Sequence, residues 1–386
     1  MVQWLERSFN TCLVVLNPLP SHPLILNKLK PKNTFLKNYK NLRVLITGTT
    51  GFKGSWLAFW LLNLGARVNG ISLKPEKNSI LFKSFQLDKK INQHFIDIND
   101  FNKINDVVKK IKPDIIFHLA AQSIVSESFK RPLKTFQTNI LGSANILETT
   151  RINHVPHLVF ITSDKCYLNL DKKRNFKETD ILGGIDNYSS SKASAELIFS
   201  SYFKSFFSGS KYLSIASARA GNVIGGGDMK DNRIVPDIIK ALHGSKKLVL
   251  RNPKATRPWQ HVLEPLFGYL LLGNLLLEKK ISSKVLPSWN FGPKPHNCKK
   301  VSIIVKLIEK LWNKKKIKLK YAKNKSYHES KLLSLNINKA NKELNWKPKL
   351  SFNDTMRLTV DWYKNYFSKK SSTEFTKDQI EYFLDQ

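Results

Sequence analysis

The sequence predicts an α/β protein built on a doubly wound, mostly parallel sheet. Short apolar runs rich in β-branched residues alternate with longer helical patterns, which is typical of parallel strands covered by helices. The first run, Leu42 to Thr47, leads through a glycine-rich turn into a helical segment. We expect further strands at residues 67–73, 95–98, 113–121, 157–162 and 212–218.

The turn after the first strand carries three glycines, in the string Gly48-Thr-Thr-Gly51-Phe-Lys-Gly54. Glycines let the backbone turn tightly and approach a pyrophosphate, whose charge is stabilised by the N–H groups at the start of the next helix. The spacing of these glycines is wider than in the Gly-x-Gly-x-x-Gly form. The alternative interpretation is a glycine-rich turn that binds no ligand. We predict a Rossmann-type dinucleotide site with contacts from Gly48, Thr50, Gly51, Phe52, Lys53 and Gly54.

Later strand ends supply further candidate cofactor contacts. The second strand ends in Ser72-Leu73-Lys74 without an acid for the adenine ribose, so this position does not separate NAD from NADP. Asp97, followed by Ile98, either meets the adenine or caps a helix. A third strand closes on the small residues Leu119, Ala120 and Ala121, where a cofactor could pass close to the backbone.

The candidate catalytic residues lie in one segment, at Ser163, Asp164, Lys165, Tyr188 and Lys192. The four-residue spacing from Tyr188 to Lys192 places both side chains on one face of a helix. An ammonium beside a phenol favours the phenolate, so we expect the pKa of Tyr188 to fall below its reference value of about 10. A surface Tyr and Lys on an ordinary amphipathic helix is the alternative.

Four strings resemble the extended short-chain dehydrogenase/reductase family. They are Gly51-Phe-Lys-Gly-Ser-Trp56, Thr162-Ser-Asp-Lys-Cys-Tyr167, Arg219 to Asp228 and Arg257-Pro-Trp-Gln-His-Val262. Within that family the chain is most similar to the nucleotide-sugar 4,6-dehydratases, and among these to the enzymes of CDP-glucose. The resemblance covers roughly residues 38 to 365. It implies a lyase with tightly bound NAD.

The resemblance also implies an internal redox cycle that yields CDP-4-keto-6-deoxyglucose. Tyr188 would take the proton of the sugar C4 hydroxyl, with Lys192 holding Tyr188 and the nicotinamide ribose. Ser163 would hydrogen-bond the sugar near C4. Asp164 would protonate the C6 hydroxyl that leaves during loss of water across C5 and C6.

Lys165 departs from most sugar-nucleotide dehydratases, which carry Glu at this position as the base for C5. A lysine with a reference pKa of about 10.4 cannot accept a proton at neutral pH unless its pKa is lowered. The CDP-glucose enzymes share the lysine. Lys165 is therefore either a base of lowered pKa or a cation that stabilises the C4 enolate.

Substrate contacts are expected mainly in the second half of the chain. The resemblance gives the amide of Asn222 to the substrate diphosphate. Arginine makes up only 11 of the 64 basic residues, and its planar fork suits bidentate phosphate contacts. The substrate candidates are Gln122, Ser123, Asn139, Asn222, Arg233, Arg251 and Arg257, and for each arginine a surface salt bridge is the alternative.

Composition bounds the possible partners. The net charge of +35 would suit a nucleic-acid protein, but the lysines are spread along the chain and arginine is rare. Three distant cysteines indicate a reducing compartment, and no metal site is predicted. A non-catalytic NAD- or polyanion-binding protein is the rival of a different class. Another nucleotide-sugar dehydratase or epimerase is the nearer alternative.

We expect four regions along the chain. Residues 1–37 are either a disordered extension or the product of a start codon placed too early. Residues 38–216 form the NAD-binding domain, to which a helix near 262–280 returns. Residues 217–365 form mainly an interleaved α/β substrate domain, and 366–386 are a tail. The resemblance further implies a cytoplasmic homodimer in deoxysugar biosynthesis, such as that of lipopolysaccharide O-antigen, without a membrane partner.

Overall fold

A seven-stranded sheet forms the centre of the molecule. The structure is a computed structural model that describes residues 31–170, 174–244, 247–250, 252–281, 285–294, 297–313, 317–321 and 333–386. The strands are β1 Arg43–Thr47, β2 Arg67–Ser72, β3 Asn92–Phe95, β4 Ile115–His118, β5 His157–Ile161, β6 Ser214–Ala220 and β7 Ser288–Phe291.

All strands of this sheet are parallel, in the order β3-β2-β1-β4-β5-β6-β7. The predicted doubly wound parallel sheet is therefore confirmed. The strand order reverses between β1 and β4, and ligands of open α/β sheets bind at such a reversal, outside the carboxyl ends of the strands.

Helices cover both faces of the sheet and build the second half of the chain. They are α1 Phe52–Asn63, α2 Phe101–Ile111, α3 Gly142–Ile152, α4 Asn187–Tyr202, α5 Ile234–Gly244, α6 Leu263–Leu277, α7 Val301–Trp312, α8 Asn338–Leu344, α9 Phe352–Phe367 and α10 Ser372–Asp385. Shorter helical pieces lie at Pro31–Tyr39, Ile80–Ser84, Leu87–Lys90, Val125–Lys130, Pro132–Phe136, Gln137–Leu141, Asp164–Cys166 and Phe203–Phe207. None of the described helices is both long and apolar enough to cross a bilayer.

Side chains alternate between the two faces of the sheet along each strand, and this divides the apolar core into two clusters. Val44 and Ile46 of β1 join the larger cluster, which includes α1, α6, α9 and α10. Leu45 between them joins the smaller cluster, beside α2, α3 and α4. Successive side chains of a strand point to opposite faces, so one short apolar strand supplies both cores.

The described residues of the second half of the chain do not form a separate sheet of comparable size. Its short strands pair as Val223–Ile224 with Gln260–His261, Leu248–Leu250 with Leu319–Tyr321, Thr256–Pro258 with Cys298–Lys300, and Ser334–Leu335 with Asn175–Phe176. Meanwhile β7 joins the edge of the large sheet, and α6 packs against β5 and β6. The two halves are thus interleaved.

Both ends of the described chain pack into the core. Leu36 and Tyr39 are buried, and the Asn33 amide donates a hydrogen bond to the carbonyl of Leu384 at 3.0 Å. Phe383 of α10 contacts Trp60 of α1 edge to face. The expected tail at 366–386 is therefore a packed helix, and the part of the expected extension from residue 33 onward belongs to the folded domain.

Candidate active site

A cavity of about 900 Å³ opens at the carboxyl ends of β1, β4, β5 and β6. Its walls come from the glycine turn, the segment after β5, the start of α4 and the second half of the chain. Every predicted site residue in the described ranges lines this cavity except Gln122 and Asn139. Arg251 lies outside the described residues.

The glycine turn is packed too tightly for side chains. A Cβ on Gly54 would lie 2.0 Å from the carbonyl oxygen of Gly48, and Gly48 itself has φ +83°. A Cβ on Gly48 would lie 2.9 Å from the backbone nitrogen of Ala120. The chain therefore brings the N-terminus of α1 to the cavity wall, where its free N–H groups suit a pyrophosphate.

Asp97 also lines the cavity, and its carboxylate is already engaged. One oxygen accepts hydrogen bonds from the backbone and side chain of Asn99 at 3.0 and 2.8 Å, and the other pairs with Lys134 at 2.9 Å. The cap of α2 is Asp100, which accepts from the N–H of Lys103. Of the two interpretations of Asp97, the helix cap is wrong.

The segment after β5 forms a tight turn that buries Asp164. Ser163 Oγ accepts a hydrogen bond from the N–H of Lys165 at 3.2 Å and donates one to Asp164 Oδ1 at 2.9 Å. Asp164 is 3% exposed, and its Oδ2 has no partner among the described residues. Burial raises the pKa of this carboxyl above its ordinary value. A carboxyl in this state is suited to donate a proton.

Helix α4 carries Tyr188 and Lys192, and its first turn is capped by Asp186, which accepts from the N–H of Ser189. Both side chains are buried, at 7% and 6% exposure. Burial raises the pKa of Tyr188 to about 12, although a hydrogen bond with Ser163 opposes this, and burial lowers the pKa of Lys192 to about 8. The expected fall in the pKa of Tyr188 is therefore wrong for this state, because loss of solvation outweighs the hydrogen bond with Ser163 and the charge of Arg233.

Gln122 and Asn139 bond to each other and do not face the cavity. The Asn139 amide accepts from the N–H of Gln122 at 2.8 Å and donates to its carbonyl at 3.0 Å and to Ser191 Oγ at 2.9 Å. The Gln122 side chain donates to Thr135 Oγ1 at 2.9 Å and accepts from the N–H of Ile124 at 2.5 Å. Their predicted role as substrate ligands is therefore wrong, since their amides tie the loop after β4 to neighbouring helices.

The second half of the chain supplies Asn222, Arg233 and Arg257 to the cavity. Arg233 spans the opening, with one nitrogen 2.8 Å from Asp228 Oδ2 and another 2.8 Å from Ser123 Oγ. Sequence reasoning missed Asp228, although it ends the glycine cluster that carries Asn222. Of these contacts, only that to Ser123 crosses between the two halves.

Lys53 has an environment that its motif did not reveal. Its ammonium nitrogen lies 3.3 Å from the hydroxyl of Tyr269, a buried residue of α6. Burial lowers the pKa of Lys53 to about 7, and the charges of Lys192 and Arg233 act in the same direction. Three basic side chains thus converge on one cavity, which favours anionic ligands. In the described ranges, no three His, Cys, Asp or Glu side chains are grouped to hold a metal ion.

Comparison with known proteins identifies the family to which this fold belongs. Residues 45–359 match the family model described as GDP-mannose 4,6 dehydratase. The chain belongs to this family. A relative, the CDP-glucose 4,6-dehydratase of Salmonella typhimurium, is 38% identical over 354 residues, covering 90% of this chain and 98% of the relative. The dTDP-glucose 4,6-dehydratase of Haemophilus influenzae is 25% identical over 86% of this chain and all of the relative.

Solved structures of the same family share the fold. A dTDP-glucose 4,6-dehydratase from Bacillus anthracis, in complex with NAD, superposes with a TM-score of 0.70 at 24% identity, over 86% of this chain and 99% of that one. A UDP-glucose 4-epimerase from Thermotoga maritima gives 0.71 at 21% identity, over 84% and 99%. The family resemblance expected from the motifs is confirmed.

Proposed function

We propose that this chain is an NAD-dependent lyase that converts CDP-glucose to CDP-4-keto-6-deoxyglucose and water. The observation that carries the proposal is Asp164, a buried carboxyl of raised pKa that shares a cavity with Tyr188 and Lys192. A proton donor beside a Tyr/Lys pair suits loss of water, which simple oxidation or epimerisation does not require. The 38% identity to a CDP-glucose 4,6-dehydratase over 90% of the chain supports the choice of substrate.

The cavity residues fit a dinucleotide. The glycine turn leaves no room for a Cβ and presents the N-terminus of α1, while Leu119 to Ala121 bring small side chains and backbone to the same wall. Gly48 to Gly54 would hold the pyrophosphate, and Lys192 the nicotinamide ribose. When bound, NAD accepts a hydride from the sugar C4 and returns it to C6.

Tyr188 is the proposed base for the first step. It takes the proton of the C4 hydroxyl as C4 becomes a ketone, with Ser163 hydrogen-bonding the same region. A phenol with a pKa of about 12 is a poor proton acceptor at neutral pH. Lys192 must therefore approach the phenol oxygen in the working complex, where its ammonium stabilises the phenolate.

Asp164 and Lys165 are proposed to serve the elimination. The C4 ketone acidifies C5–H, the C5 proton leaves, and Asp164 protonates the departing C6 hydroxyl so that water is lost. Lys165 lines the cavity next to Asp164. Either Lys165 removes the C5 proton as a base, or its cation stabilises the C4 enolate.

The Lys165→Met variant separates these roles from a passive one. Both active roles predict a slower exchange of the C5 proton with solvent deuterium, by about 100-fold, because base and electrostatic catalysis each contribute on this scale. Exchange is followed by NMR of the nucleotide sugar. Exchange at the full rate in the variant would exclude both.

The proposed function itself is tested with purified protein, NAD and a panel of nucleotide sugars that includes CDP-glucose. Mass spectrometry should detect a product that has lost one water, with CDP-glucose as the preferred substrate. A product of unchanged mass would favour an epimerase, and preference for another base would favour a related dehydratase. If no nucleotide sugar yields a 4-keto-6-deoxy product, the proposal fails, and bound NAD without turnover would favour a non-catalytic protein.

We further propose a cytoplasmic homodimer that serves deoxysugar biosynthesis, such as that of O-antigen. Leu133, Leu141 and Leu197 are exposed on the helical stretch that leads into α3 and on α4, two elements packed against each other. Pairing of these helices across a two-fold axis would cover the leucines. Light scattering should give twice the chain mass, and Leu133→Asp with Leu197→Asp should give the monomer; a monomeric unmodified protein would exclude the dimer.

A further inference from the structure

Glu196 is a buried carboxylate that the proposed reaction does not use. It lies on α4 one turn beyond Lys192 and two turns beyond Tyr188, and its side chain is not exposed to solvent. Residues four apart on a helix share one face, so α4 presents this charge to the core beneath both catalytic candidates.

The Glu196 carboxylate links α4 to the residue that follows β5 and to the middle of β6. One oxygen accepts hydrogen bonds from Thr162 Oγ1 and from Ser217 Oγ at 3.1 Å. The other accepts from Ser217 Oγ at 3.1 Å and from Arg219 at 2.7 Å. Thr162 directly precedes Ser163, so this carboxylate fixes the start of the catalytic segment relative to α4.

Arg219 fixes the other end of the same segment. A second guanidinium nitrogen donates to the hydroxyl of Tyr167 at 2.8 Å and to the carbonyl of Glu178 at 3.1 Å. The Tyr167 hydroxyl donates in turn to Asn290 of β7 at 2.7 Å. A single ion pair therefore holds both Thr162 and Tyr167, and Ser163 to Lys165 lie between them.

A contribution to the stability of the fold does not by itself explain the buried ion pair of Glu196 and Arg219. Arg219 and Glu196 are 1% and 0% exposed, and the loss of hydration of two buried charges offsets most of their attraction. Arg219 Nε also lacks a hydrogen-bond partner among the described residues. A well-packed apolar pair of the same volume would stabilise the fold at least as well.

The charge of Glu196 also acts on Lys192. Burial lowers the pKa of Lys192 to about 8, and the negative charge of Glu196 raises it. Without that charge, a smaller fraction of Lys192 would be protonated at neutral pH.

We propose that Glu196 and Arg219 are positioning residues for the dehydration. Their ion pair sets the place of Ser163, Asp164 and Lys165 relative to Tyr188 and Lys192. The proposal rests on the proposed function and extends it to two residues that touch neither substrate nor cofactor.

The double variant Glu196→Gln with Arg219→Met tests the proposal, because it removes both charges without leaving either one buried and unpaired. The first readout needs no substrate: competitive acetylation with acetic anhydride across a pH series, followed by peptide mass spectrometry, gives the apparent pKa of Lys192. The second is the kinetics of dehydration. Glu264→Gln is the matched control, since it replaces another buried carboxyl that lies outside the cavity lining.

We expect the double variant to melt within about 4 °C of the unmodified protein. The apparent pKa of Lys192 should fall. The kcat should fall about 100-fold with KM within about threefold, the pattern expected when reacting groups are misplaced but the substrate still binds. Glu264→Gln should change neither the titration of Lys192 nor kcat.

A folded double variant with unchanged Lys192 titration and unchanged kcat would overturn the proposal. Glu196→Asp provides a second test if the double variant does not fold. It keeps the charge but shortens the reach of the carboxylate, so kcat should fall while the Lys192 titration persists; full kcat would refute the positioning role. Absence of turnover in the unmodified protein would count against the proposed function alone, and the titration would still decide how Glu196 acts on Lys192.

Discussion

The two walls of the cavity are built in different ways. The cofactor wall consists of the turn Gly48–Gly54 together with Leu119–Ala121, Ser163–Lys165, Tyr188 and Lys192, which follow strands of the parallel sheet or lie at the start of a helix. In the substrate wall, Asn222 and Arg257 lie beside or on strands of two or three residues, and Arg233, which precedes α5, bonds to Ser123. Local backbone geometry fixes the first wall, and long-range polar contacts fix the second.

This difference predicts distinct defects for substitutions on the two walls. Changes on the cofactor wall should impair chemistry or dinucleotide binding. Changes on the substrate wall should weaken sugar-nucleotide binding and leave the cofactor in place.

The largest effect is expected for Asp164→Asn. Turnover should fall about 1000-fold with NADH accumulating, because an amide cannot protonate the leaving hydroxyl although oxidation at C4 still proceeds. Absorbance at 340 nm reports the NADH. Asp100→Asn, which retains a good helix cap, is the control and should behave like the unmodified protein. Normal turnover in Asp164→Asn would remove this residue from the chemistry.

The same variant has a pH signature in stability. Burial raises the pKa of Asp164 in the folded state above its ordinary 3.8, so the folded protein holds this proton more tightly than the unfolded chain. That contribution is complete below pH 3.8 and is lost as pH rises through the folded pKa. The melting temperature of Asp164→Asn should therefore rise relative to that of the unmodified protein as pH increases from 4 to 8.

The next largest effect is expected for Gly54→Ala on the cofactor wall. The new methyl would overlap the carbonyl of Gly48, so NAD affinity should fall about 100-fold. Titration calorimetry measures the affinity. Gly244→Ala is the matched control, because a Cβ at Gly244 meets no atom within 4 Å. Equal NAD affinity in both variants would mean that the turn does not hold the pyrophosphate.

Arg233→Met tests the substrate wall. The KM for CDP-glucose should rise roughly 10- to 100-fold, the range for losing a charge-assisted hydrogen bond to a phosphate, while NAD affinity stays unchanged. Arg131→Met is the control, since Arg131 forms an exposed pair with Glu127. A loss of NAD affinity in Arg233→Met would contradict the assignment of cofactor binding to one wall and substrate binding to the other.

The smallest effect is expected for Lys53. With a pKa of about 7, its charge is mostly present at pH 6 and mostly absent at pH 8. Because a cation favours a pyrophosphate, NADH affinity should fall about threefold over this range, and Lys53→Met should abolish the dependence. Fluorescence titration of NADH measures it. The exposed Lys204→Met variant should retain the pH dependence; a flat profile in the unmodified protein would contradict this role for Lys53.

Local patterns explain why the sheet and the cofactor wall were predictable. The alternation of Val44, Leu45 and Ile46 and the glycines that follow them are determined by strand geometry and turn sterics within a dozen residues. The spacing of Tyr188 and Lys192 likewise needs only a helix.

What the sequence did not reveal depends on partners distant along the chain. The amide of Asn139 is a plausible ligand until the N–H of Gln122 and the hydroxyl of Ser191 are seen to occupy it. The pKa of Tyr188 depends on how completely other elements bury it, which the spacing of two residues cannot convey. Helix α10 resembled a tail because Trp60, the partner of Phe383, lies more than 300 residues earlier.

The interleaving of the halves has a consequence for synthesis of the chain. Strand β6 receives its outer neighbour only when Ser288 pairs opposite Ser217, 71 residues later. Until the ribosome has passed residue 291, the nascent sheet therefore exposes an open edge that other chains could join. A gene divided between β6 and β7 should consequently yield an insoluble first fragment. Co-expression of the second fragment should recover soluble protein only if the two fragments meet before that edge aggregates.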